Sequence, residues 1–167
     1  TEFAALSTSQ MAALADTQIQ ALATTQVASL TPTLLSTLTT TQVRALTADQ
    51  VATLSAEQFN ALSTSQVASI SSTGISGLSA TQIGNIDGTL LASLSVTQLA
   101  SLSTRTVSNL TSTHINALTT TQLSNLTPTS SAALSTTVVA SLTASQLEAL
   151  SAQELSSLTA SQASALT

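Results

Sequence analysis

The chain has 167 residues, of which 43% are hydrophobic, 5% charged and 1% aromatic, with no Cys, Trp or Tyr. That inventory leaves little with which to build a catalytic centre, and it excludes a disulfide framework or a thiolate metal site. Two basic residues against seven acidic ones, a net charge of −5, lack the basic footprint that phosphate neutralisation requires, so nucleic acid is not an expected partner. No apolar run is long enough to cross a bilayer, and the opening residues do not read as a signal peptide.

The predicted elements follow from a period of eight. Every eighth residue from Leu6 to Leu166 is Leu or Ile, 21 positions with no insertion. A second apolar series starts at Phe3 and Met11 and runs to Leu155, broken only by Ser131 and by Ala163. One helix cannot carry this pattern, because eight residues advance about 800° and the leucines would drift about 80° per repeat. A β-strand places the two series on opposite faces, and a β-solenoid, the alternative fold, wants Gly or Asn at its corners, where the chain has only 4 Gly.

A short helix restarted in each octad accounts for every slot. In Leu62-Ser63-Thr64-Ser65-Gln66-Val67, Ser63 is the N-cap, Gln66 the third helical residue, and Leu62 and Val67 the two jaws of a hydrophobic staple. The cap slot is Ser, Thr or Asp in 19 of 21 octads, and the third helical slot is Gln or Glu in 14 of 21. Each helix then holds about six residues, too few to stand alone in water, so stacking must hold it. The expected fold is all-α: a solenoid of very short capped helices, one per octad, each contacting near neighbours only.

In chain order, the chain opens in mid-octad, with Glu2 and Phe3 in the third and fourth helical slots. Ala15 and Ala23 leave two octads without a capping side chain, and Pro32 and Pro128 take the first helical slot, where a missing N–H costs nothing. Asp87 is the one acidic cap. The octads at 127–133 and 135–141 keep the leucine spine but lose Gln, which reads as tolerated drift, and the chain closes on Thr167, a cap without a helix. Residues 1–167 therefore read as one continuous array, a segment of a longer repeat region or a unit whose ends dock onto neighbours.

Units such as Leu38-Thr39-Thr40-Thr41-Gln42-Val43-Arg44-Ala45-Leu46 and Leu118-Thr119-Thr120-Thr121-Gln122-Leu123 resemble the Leu-Thr-x-x-Gln-Val-x-Ala-Leu tracts of very large, repetitive, secreted adhesin-type proteins of bacteria. The resemblance implies an extracellular or cell-surface setting. The glycine-aspartate calcium-binding repeats that accompany such tracts are absent, so no calcium site is carried over.

No catalytic, cofactor-binding or metal site is expected. His114 is the only histidine, stands in a Gln slot and has no partner ligands in sequence. The many Ser and Thr hydroxyls follow from capping and lack a base. Asp16, Asp49, Glu57 and Asp87 occupy caps or first turns or stand exposed, and the pair Glu148 and Glu154 is not repeated elsewhere. Asn109-Leu110-Thr111 and Asn125-Leu126-Thr127 form glycosylation sequons because any Asn before the Leu-Thr step does so. Arg44 and Arg105 are isolated charges. Threonines in the second helical slot, Thr73, Thr81, Thr89 and Thr97, raise the alternative of an ice- or glycan-binding row.

The expected function is accordingly that of a non-enzymatic structural protein, a filament, sheath or stalk segment that associates with copies of itself. An adhesin-type module binding a surface or glycan, and an ice-binding solenoid, are the alternatives.

Overall fold

The computed structural model describes residues 6–166, and among these it is wholly helical, with no strand. The β-solenoid alternative is not the fold. The chain forms α1 (Thr8–Ala12), α2 (Asp16–Gln20), α3 (Thr24–Ala28), α4 (Pro32–Ser36), α5 (Thr40–Arg44), α6 (Ala48–Thr53) and α7 (Ala56–Asn60). It continues with α8 (Thr64–Ser69), α9 (Ser72–Ile75), α10 (Ala80–Asn85), α11 (Gly88–Ala92), α12 (Val96–Ala100), α13 (Thr104–Val107) and α14 (Ser112–Ala117). The last are α15 (Thr120–Leu123), α16 (Pro128–Ala133), α17 (Thr136–Ala140), α18 (Ala144–Ala149), α19 (Ala152–Ser157) and α20 (Ala160–Ser164). Each octad thus yields one helix of four to six residues, in the register expected. Glu2, Phe3 and Thr167 lie outside the described residues.

The reason each helix starts where it does is the capping box. The Ser63 Oγ accepts the N–H of Gln66 at 3.2 Å, and the Gln66 Oε1 accepts the N–H of Ser63 at 2.7 Å. Ala15 and Ala23 have no hydroxyl, yet Gln18 and Gln26 still accept their N–H groups at 2.8 Å, so one arm of the box survives without the other. Each helix ends when the spine Leu or Ile donates its N–H to the carbonyl three residues back, as Leu46 does to Val43 at 3.2 Å and Leu62 to Phe59 at 3.1 Å. The next cap is extended, φ −74° and ψ 160° at Ser63, and this reversal supplies the corner. No described residue has a positive φ, which is why the corners need no glycine.

The helices wind into a superhelix. Each packs against the helix three places on: α3 on α6, α6 on α9, α10 on α13, α13 on α16 and α16 on α19. Gly77 marks one close approach, since a Cβ there would lie 2.1 Å from the carbonyl oxygen of Ala48. The two apolar series form one continuous core: the spine is buried from Leu30 to Leu134, and the staple series from Met11 to Val139. Ser131 belongs to that staple series and buries a hydroxyl that has no hydrogen-bond partner. In the outer turns the spine is half-buried, at Leu6, Leu14 and Leu22 and again at Leu142, Leu150, Leu158 and Leu166.

Candidate functional site

The side chain that repeats most regularly outside the core is the glutamine of the third helical slot, and its amide has two ends. One end closes the capping box. The other reaches the preceding superhelical turn: the Gln42 Nε2 donates to the carbonyl oxygens of Met11 at 3.0 Å and Leu14 at 2.7 Å, and approaches that of Ala12 at 3.3 Å. The same clasp recurs at Gln50, Gln58, Gln66, Gln82, Gln98, Gln122, Gln146 and Gln162, always to the carbonyl 28 residues back. That bond is 2.6–2.8 Å long, except at Gln146, where it is 3.5 Å. A partner 28 residues back lies three and a half octads away, so a superhelical turn takes between three and four octads, consistent with packing of each helix on the third one along.

The glutamines that make clasps are buried, Gln42 and Gln50 to 2% exposure, and a buried primary amide must satisfy both its oxygen and its N–H groups. The two ends achieve this, and they settle which end is oxygen: the donor N–H of the cap faces one, the acceptor carbonyls the other. In the first described turn, by contrast, Gln10 and Gln18 are exposed and Gln26 is half-buried, each with its cap arm made and with no clasp from its Nε2 among the described residues.

Two substitutions keep the clasp with different chemistry. His114, buried to 3%, accepts the Thr111 N–H on Nδ1 at 3.1 Å, while its Nε2 lies 2.8 Å from the carbonyl oxygen of Ile86, again 28 residues back. The Nδ1 contact fixes the tautomer with hydrogen on Nε2, so the neutral imidazole reproduces both ends of an amide. Thr106 places its Oγ1 2.9 Å from the carbonyl oxygen of Leu78 as donor. Leu34, Leu90 and Val138 fill the slot with buried aliphatic groups and make no clasp. Glu154 keeps the cap arm, its Oε2 accepting the Ser151 N–H at 2.7 Å, but its Oε1 is buried without a partner. Nothing in the octad motif distinguished the second glutamine arm from the first.

The remaining singled-out residues do not converge. No group of three or more His, Cys, Asp or Glu able to hold a metal occurs among the described residues. Asp87 caps α11 and accepts the Thr89 N–H at 2.7 Å; hydrogen bonds from the Thr89 hydroxyl and then from its N–H hold the carboxyl below its ordinary value of 3.8. Asp16, Asp49 and Glu57 stand in the first turns of α2, α6 and α7. Glu148 is exposed while Glu154 is buried, so the two do not share an environment. Asn109 and Asn125 turn their Nδ2 groups back onto the carbonyls of Arg105 and Thr121 at 3.0 and 2.8 Å. Arg44 lines an open groove of about 340 Å³ with Gln20, Ser71 and Thr73. Thr73, Thr81, Thr89 and Thr97 are exposed, but they belong to the successive helices α9 to α12, which follow one another around the superhelix rather than along one face.

Among known proteins, the ALTTAQ repeat family matches residues 35–64. Within that span Ala45–Gln50 reads Ala-Leu-Thr-Ala-Asp-Gln, and outside it Ala117–Gln122 reads Ala-Leu-Thr-Thr-Thr-Gln. No curated protein matches the chain, and no solved structure does.

Proposed function

We propose that the chain is a non-enzymatic structural segment of the bacterial cell exterior, an extended superhelical element of a filament, sheath or stalk. The observation that carries this reading is the clasp. One side chain type, in one slot, ties each turn to the turn before it from Gln42 to Gln162, so added octads extend the element without a new interface. The extracellular setting comes from the resemblance to secreted adhesin-type repeat tracts.

Association between copies is part of the same reading. The chain carries nine charged residues in 167, two basic and seven acidic, between rows of Ser and Thr hydroxyls, so little charge repulsion opposes side-by-side packing of such elements. The expected result of sedimentation velocity on the 167-residue chain is growth of elongated species with concentration. A monomer of unchanged sedimentation coefficient across the accessible concentration range overturns the association. Binding of the monomer to a surface or glycan with no assembly favours the adhesin alternative instead.

A further inference from the structure

We propose that Glu154 makes its clasp proton-operated: closed when the carboxyl carries a proton, open when the carboxyl is ionised. The argument is one of register. On either side of α19, Gln146 in α18 donates to the carbonyl of Ile115, 31 residues back, at 3.0 Å, and Gln162 in α20 donates to the carbonyl of Leu134, 28 residues back, at 2.7 Å. The same offsets from Glu154 fall on the carbonyls of Leu123 and Leu126, in and just after α15. Both are backbone acceptors; that of Leu123 already takes the Leu126 N–H at 3.0 Å, as the Leu134 N–H goes to Ser131 where Gln162 adds its own bond. Glu154 is 2% exposed, spends Oε2 on the Ser151 N–H and leaves Oε1 buried with no partner, at the end of the side chain where glutamine carries its NH₂.

A protonated carboxyl is nearly isosteric with the amide and supplies the missing donor: the O–H takes the place of an N–H, and the proton is exchanged with bulk water. An ionised carboxyl has only acceptors to offer. Ionisation does strengthen the bond to the Ser151 N–H. It leaves the other oxygen, buried, with no donor to meet it. The elements around α19 provide no compensating charge. α15 (Thr-Thr-Gln-Leu), α16 (Pro-Thr-Ser-Ser-Ala-Ala) and α20 (Ala-Ser-Gln-Ala-Ser) contain no titratable side chain, and the one in α18 is the exposed carboxylate of Glu148.

The test compares thermal unfolding and amide exchange of the whole chain with those of Glu154→Gln at about pH 4 and about pH 7.5, on either side of the ordinary titration of glutamate. The substitution is expected to raise the melting temperature and slow exchange in α19 at the higher pH. At the lower pH the two proteins are expected to converge. The reciprocal variant Gln162→Glu is expected to import the same dependence into α20, with exchange there faster than wild type at the higher pH and close to it at the lower. An equal gap between Glu154→Gln and wild type at both pH values, or a stability loss on Glu154→Gln at the higher pH, overturns the proposal, as does a Gln162→Glu variant whose exchange in α20 is indifferent to pH.

Discussion

At the scale of the residue, the amide of glutamine is the unit of design. Its oxygen serves an N–H three residues before it and its nitrogen a carbonyl 28 residues before it, as at Gln82, where the bonds are 2.8 and 2.7 Å. Replacing Gln82 by Ala removes these and the bond to the Val51 carbonyl, and leaves the Ser79 N–H and the Leu54 and Val51 carbonyls without that partner. The expected loss is about 1–3 kcal/mol, measurable by urea denaturation. Titration offers a second check. Asp87 has a lower pKa folded than unfolded, so its contribution is complete above its ordinary value of 3.8 and is lost as the pH falls through the lowered one. The stability advantage of wild type over Asp87→Asn is therefore expected at neutral pH and to vanish on acidification, read from melting temperatures across that range. Much of this scale was legible beforehand: Ser63 and Gln66 form the reciprocal box that their spacing implies. The second end of the amide was not, because its acceptor lies far away in sequence and is a backbone carbonyl, which carries no side-chain signature.

At the scale of the element, helices of four to six residues have no stability of their own, and the cap decides where each begins. Ala23 gives α3 a single-armed box. Restoring the hydroxyl with Ala23→Ser is expected to add about 0.5–2 kcal/mol locally, seen as slower amide exchange in α3. The proline positions, the cap register and the helix lengths all follow from the octad, since each depends on atoms within a few residues. Drift in the third slot behaves less uniformly than the motif suggests: His114 and Thr106 replace glutamine and keep a clasp, whereas Leu34, Leu90 and Val138 abandon it for apolar burial. Which outcome a substitution has depends on whether its polar atom reaches the carbonyl of the turn below.

At the scale of the whole molecule, octads are interchangeable because each meets the same neighbours. Deleting one complete octad, residues 94–101, shifts the clasps that reach across it, those of Thr106, His114 and Gln122, onto equivalent carbonyls and leaves those of Gln146 and Gln162 unchanged. It is expected to keep the helical circular dichroism and lower the melting temperature by a few degrees. Deleting Ala100 alone breaks the period, moves a polar residue into the spine register beyond it, and is expected to cost far more in the same measurement. The Thr73, Thr81, Thr89 and Thr97 row shows the converse. It is regular in sequence, yet it is spread around the superhelix, because between three and four octads complete a turn.

Local order in this protein is written in the eight-residue pattern: where helices start, why they stop, which side chains enter the core and why reactive groups are scarce. These depend on backbone geometry and hydrogen bonds spanning three or four residues, which a sequence displays directly. The winding number, the joining of turns through the amide nitrogen and the stranded Oε1 of Glu154 arose only in three dimensions, because how far each octad rotates about the axis is set by packing between residues some 24 to 31 positions apart.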